Sequence, residues 1–92
     1  MDLSKLDDRS WRAHFGMSKE ATLRVKELVP SLSLKTLTIA LYFLKVYPTE
    51  DVGATQFGVC RNTWRVSVRF GLNQLAVNLP QVNFFLFVLK YY

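Results

Sequence analysis

From residue 52 onward the chain has no aspartate or glutamate; all seven acids lie before that point. Residues 1–51 hold eight basic and seven acidic side chains, a net of +1. Residues 52–92 hold Arg61, Arg65, Arg69 and Lys90 with no acid, a net of +4. An acid-free end carries a positive field, which favours a polyanionic partner. A basic helix lying on a membrane surface has the same charge signature, so sign alone does not choose.

Other absences narrow the classes further. Cys60 is the one cysteine, so no intrachain disulfide is possible and nothing points to secretion. The start, from Met1 to Asp8, is too acidic and too broken for a signal peptide. The longest apolar run, Phe84 to Leu89, falls far short of the ~20 residues that span a bilayer. An intracellular address is expected, and no membrane partner. His14, the one histidine, has no Cys or His at ligand spacing, so no metal site is expected; a place on a helix surface suits it. There is no Gly-rich phosphate loop and no nucleophile elbow. The acid pairs Asp7-Asp8 and Glu50-Asp51 suit helix caps better than acid–base chemistry. Cys60 precedes a basic helix, whose N-terminus lowers a thiol pKa, but with no base nearby packing is the simpler role. No enzyme activity and no cofactor are expected.

What is present is a helical pattern. Ninety-two residues, half of them hydrophobic, make one small globular domain with a modest core. Three prolines, Pro30, Pro48 and Pro80, divide it. Asp8 or Ser10 is placed to cap a short helix carrying Trp11 and Phe15, stopped by Gly16. Ser18 is a good N-cap for a second helix to about Val29, with Ala21, Val25 and Leu28 on its buried face. Leu34 to Tyr47 is apolar nearly all round, as a central helix is, with Leu37, Ala40, Leu41 and Leu44 on one face. Pro48 ends it. Thr49 caps the next helix, with Glu50 and Asp51 at its positive end. The last begins near Arg61 and reaches toward Leu79, unless Gly71 breaks it. Trp64, Val68, Leu72, Leu75 and Leu79 line one side, and Val66, Phe70 and Val77 another.

Between those two sides, Asn62, Arg65, Arg69 and Asn73 recur at i, i+3, i+7 and i+11. At ~100° per residue they share one helical face. Arg forks match guanine O6/N7 and Asn amides match adenine N6/N7 in the major groove. The plain alternative is a solvated helix face. A short helix, a tight turn and a basic helix make the helix-turn-helix plan, here at about 49–70. Ala54 supplies the small residue where the helices cross, and Gly58 the positive-φ residue four positions later. Phe57, Val59 and Trp64 supply core. Gly53, which brings no volume, and Ser67, where an aliphatic is preferred, fit less well. In that plan Arg61 and Arg69 meet phosphates, while Asn62 and Arg65 face base edges. Thr49 and Thr63, near helix starts, add phosphate contacts.

Three stretches carry a family resemblance. They are Trp11-Arg12-Ala13-His14-Phe15-Gly16-Met17-Ser18, then Leu41-Tyr42-Phe43-Leu44-Lys45-Val46-Tyr47-Pro48-Thr49-Glu50, then Gly58-Val59-Cys60-Arg61-Asn62-Thr63-Trp64-Arg65. Together they resemble the N-terminal region of eukaryotic DDE-superfamily transposases of the Harbinger and related groups, across roughly residues 8–79. The resemblance implies binding to transposon-end duplex DNA in the nucleus, with strand chemistry belonging to a separate carboxylate-bearing domain. Residues 80–92 do not look like the family's continuation into that domain, so a truncated copy with an unrelated tail is expected.

The reading is therefore an all-α domain of four to five helices over residues 1–79, followed by an apolar tail, 80–92. Its expected partner is duplex DNA, reached through Arg61, Asn62, Thr63, Arg65 and Arg69. Self-association is expected if the tail is exposed. The competing reading is a helical protein-interaction or structural module whose arginines only keep it in solution.

Overall fold

The computed structural model describes residues 2–78, and within them every regular element is helical. A 3-10 turn at Leu3–Lys5 precedes α1 (Asp8–Phe15), α2 (Lys19–Leu28), α3 (Leu34–Val46), α4 (Glu50–Phe57) and α5 (Arg61–Asn78). The expected end at Leu79 and the apolar tail, with its self-association, lie outside the described residues.

Local chemistry sets the boundaries. Asp7, one residue before the expected cap, accepts the Ser10 N–H at 2.8 Å and starts α1. Gly16 ends it at φ 78°. Ser18, Ser33 and Thr49 each accept the N–H three residues on, opening α2, α3 and α4. Tyr47, not a glycine, takes the left-handed position after α3 (φ 52°), its ring 5.8 Å from that of Phe43. Pro48 has no N–H with which to extend the helix.

The central helix is α3, which packs on all four other α-helices, most extensively on α5. Leu37, Ile39, Ala40, Leu41 and Tyr42 are buried, while Leu44 is only half-buried. Burial of each of Leu37, Ile39 and Leu41 contributes roughly 1.5–3 kcal/mol. Thr22 and Thr38 also sit in this core. Their hydroxyls bond back to Ser18 O (2.9 Å) and to Leu34 O (2.9 Å), so neither is stranded, whereas the buried Trp11 Nε1 has no hydrogen-bond partner among the described residues. Thr22 is thus buried on α2, whereas Leu28, expected on the buried face, is 57% exposed.

An aromatic chain ties the two halves together. Trp11 meets Phe15 (4.9 Å between ring centres), and Phe15 meets Tyr42 of α3 (6.5 Å). Tyr42 in turn meets Phe57 of α4 (5.5 Å) and Trp64 of α5 (6.3 Å). His14 joins the edge of this cluster. It is half-buried rather than on the surface, stacked 6.2 Å from Tyr42 with its Nδ1 2.8 Å from Ser10 O.

Two glycines record close approaches. A Cβ on Gly71 would lie 2.8 Å from Ala40 Cβ, so α3 and α5 cross where neither has a side chain in the way. Gly71 does not break α5, which runs unbroken through it. A Cβ on Gly53 would sit inside the Trp64 indole. The missing volume at Gly53 is filled by its neighbour's ring.

Candidate nucleic-acid interface

α4 and α5 are joined by a connection of fixed shape. Gly58 adopts φ 65°, its N–H bonding Thr55 O at 3.2 Å, while Val59 N–H bonds Ala54 O at 3.0 Å. That is a Schellman ending, and Val59, just beyond it, packs against the core. Cys60 then opens α5: Thr63 N–H points at its Sγ (3.4 Å), and the Thr63 hydroxyl lies 3.1 Å from the same sulfur. These contacts, the Thr63 hydroxyl first, lower the thiol pKa of the exposed Cys60. They also turn the Thr63 hydroxyl toward its own cap.

Trp64 in the Gly53 notch fixes how the two helices sit, and the charged residues follow from it. Gly53 is one turn beyond Glu50, and Trp64 is the residue before Arg65, so seating one pair brings the other together. Arg65 grips Glu50 with both arms of its guanidinium, Nε to Oε1 at 3.2 Å and a terminal nitrogen to Oε2 at 2.8 Å. This mutual hydrogen bond holds Glu50 below the ordinary carboxylate range and raises the Arg65 pKa. Arg61 reaches Asp51 (3.1 Å) and, more distantly, Glu50 (3.8 Å).

Asn62, Arg65, Arg69 and Asn73 are exposed on α5 together, as their spacing predicts. Arg65 retains half of its side-chain surface in water despite the Glu50 pair. Arg69 makes no ion pair with any described residue. It borders an open groove of about 310 Å³ shared with Phe43, Glu50, Trp64, Arg65, Val68 and Leu72. Asn62 makes no side-chain hydrogen bond among the described residues, and neither does Asn73. Ser67 is half-buried.

The α4 acids are the members of this cluster that sequence reasoning did not place. Glu50 and Asp51 were expected only to complement the α4 dipole, and they do occupy its first turn. They also neutralise two of the three arginines, leaving one net positive charge across Glu50, Asp51, Arg61, Arg65 and Arg69. The Gly53 and Trp64 spacing was the available signal. Beside the polar stripe, Val66 (57%), Phe70 (44%) and Val77 (72%) are exposed rather than packed, so α5 shows water an apolar edge as well as a basic one.

Among the described residues no group of His, Cys, Asp and Glu is arranged to hold a metal, and no helix is long and apolar enough to cross a membrane. No family model matches the chain, and no curated protein or solved structure does either.

Proposed function

We propose that this is a non-catalytic DNA-binding domain that docks the N-terminal part of α5 in the major groove of duplex DNA. The observation that carries the reading is the joint exposure of Asn62, Arg65 and Arg69 on one face of a helix entered by a rigid turn. On this reading α4 and α5 are the two members of a helix-turn-helix. Arg65 and Asn62 address base edges, and Arg61 and Arg69 address phosphates. The likeness to the N-terminal region of Harbinger-type transposases supports the same assignment, and with it a nuclear address.

The exposed edge formed by Val66, Phe70 and Val77, and the partial covering of Arg61 and Arg65 by acids, favour a second reading. This is a protein-interaction module in which α5 docks an apolar partner surface.

Fluorescence anisotropy with a mixed duplex DNA pool at two salt concentrations separates them. DNA binding predicts salt-sensitive association that Arg65→Ala/Arg69→Ala weakens. A folded sample that fails to bind duplex at low salt would leave the interaction module as the better account.

A further inference from the structure

We infer that Glu50, assisted by Asp51, is a built-in restraint on sequence-independent DNA binding, acting by holding Arg65 and Arg61 away from the phosphate backbone. The inference rests on the DNA-binding reading and deepens it.

A helix that reads base edges is useful only if its affinity for any phosphate chain stays low, because non-specific sites vastly outnumber the intended one. Three unpaired arginines along the N-terminal half of α5 would all be available to phosphate. Here two of them are engaged within the protein. Arg65 is held in a two-point grip at 3.2 and 2.8 Å, and Arg61 is held at 3.1 Å by Asp51. Of the three, Arg69 alone makes no ion pair with a described residue.

Geometry makes this more than surface neutralisation. Glu50 is fixed in the first turn of α4 by the Thr49 cap, and the Gly53–Trp64 contact fixes α4 against α5. The carboxylate is therefore delivered to the guanidinium by two packed helices rather than by a flexible surface arm. A phosphate, which like the carboxylate offers the guanidinium two charged acceptors, has to displace Glu50 to capture Arg65. A guanine edge also offers two acceptors, though uncharged ones, so no DNA group takes Arg65 without first breaking the Glu50 pair. In this scheme Glu50 acts through Arg65, by limiting its availability to phosphate, and is not a contact to DNA.

The test measures the salt dependence of anisotropy on a mixed duplex pool. It uses the full chain as wild type, Glu50→Gln, Glu50→Gln/Asp51→Asn and Glu27→Gln. Glu27 is an exposed α2 acid, so its replacement changes net charge equally without touching the cluster. Each freed phosphate contact steepens log K against log salt by about 0.9, roughly threefold in affinity over a fourfold range of salt. Glu50→Gln is expected to bind the pool more tightly at low salt and with a steeper slope, the double variant more so. Glu27→Gln stays close to wild type. In an Arg65→Ala background the gain from Glu50→Gln shrinks markedly, because the restraint acts through that arginine.

Thermal melts confirm that each variant is folded. Equal effects of Glu50→Gln and Glu27→Gln, or a gain undiminished by Arg65→Ala, would overturn the restraint and leave simple repulsion. Weaker binding by Glu50→Gln would overturn it in the other direction, since Glu50 would then be presenting Arg65 to DNA. Both results leave the DNA-binding reading intact. Absence of salt-sensitive binding by the wild type removes that reading and the restraint together.

Discussion

The two ends of the molecule use ion pairs differently. In α1 and α2 the pairs Asp8–Arg12 (3.0 Å) and Glu20–Arg24 (3.3 Å) join residues one turn apart on a single exposed helix surface. In α4 and α5 the pairs link separate helices, with Glu50 and Arg65 fifteen residues apart. A pair of the first kind forms wherever its helix forms. A pair of the second kind exists only when two helices are seated correctly, so it ties the charge of the basic face to tertiary packing. Charge and fold are independent at one end and coupled at the other.

Breaking the seat should have the largest effect. Trp64→Ala removes a buried indole from the junction of α3, α4 and α5 and is expected to cost about 3–5 kcal/mol in chemical denaturation. Gly53→Val should approach this, at about 3 kcal/mol, by driving a side chain into the space the indole occupies. Both should also uncouple Arg65 from Glu50, visible as an altered guanidinium signal in nuclear magnetic resonance. A variant that kept full stability would show that the helices are seated by something else.

A smaller loss is expected at the turn. Gly58 has open space where a Cβ would go, so Gly58→Ala tests backbone conformation alone. At φ 65° the expected loss is about 1 kcal/mol, with Gly58→Asn losing less, by the same denaturation measurement.

Acid should distinguish the cross-helix pair from the rest. The folded-state pKa of Glu50 lies below its ordinary value of 4.5 because Arg65 hydrogen-bonds the charged form, with Arg61 adding attraction. Its contribution to stability is therefore complete above 4.5 and is lost as the pH falls through the lower, folded value. Asp2 and Asp7 are shifted the same way by Ser4 and Ser10, and they titrate alike in wild type and variant. Melting curves from neutral pH to about pH 3 should show wild type and Glu50→Gln converging as Glu50 protonates. Smallest of all, Arg24→Ala should change stability by only about 0.3 kcal/mol, since a single-turn exposed pair holds nothing else in place.

What could be read from the chain was what is encoded locally. Ser18 and Thr49 announce their helices because a cap needs only the N–H three residues on. The apolar density from Leu34 onward marks α3 as central because no face of it could be left in water. The five-helix, all-α outcome follows from such signals. The inward place of Thr22, the half-burial of His14 and the continuity of α5 through Gly71 were not legible in this way. Two of these depend on a neighbour from another helix, since His14 lies on Tyr42 and Gly71 lies against Ala40; Thr22 can go inward because its hydroxyl bonds the Ser18 carbonyl. The basic face was legible by periodicity, since Asn62, Arg65 and Arg69 emerge together. Its pairing with Glu50 and Asp51 was not, because that depends on Trp64 entering the notch at Gly53.

That same indole gives the molecule a native optical probe. Trp64 borders the groove beside Arg65 and Arg69, whereas the chain's other tryptophan, Trp11, belongs to α1. Replacing Trp11 with phenylalanine would leave one tryptophan, buried at the seat between α4 and α5. Its emission would then follow the seating of α4 on α5 in real time, without an attached dye.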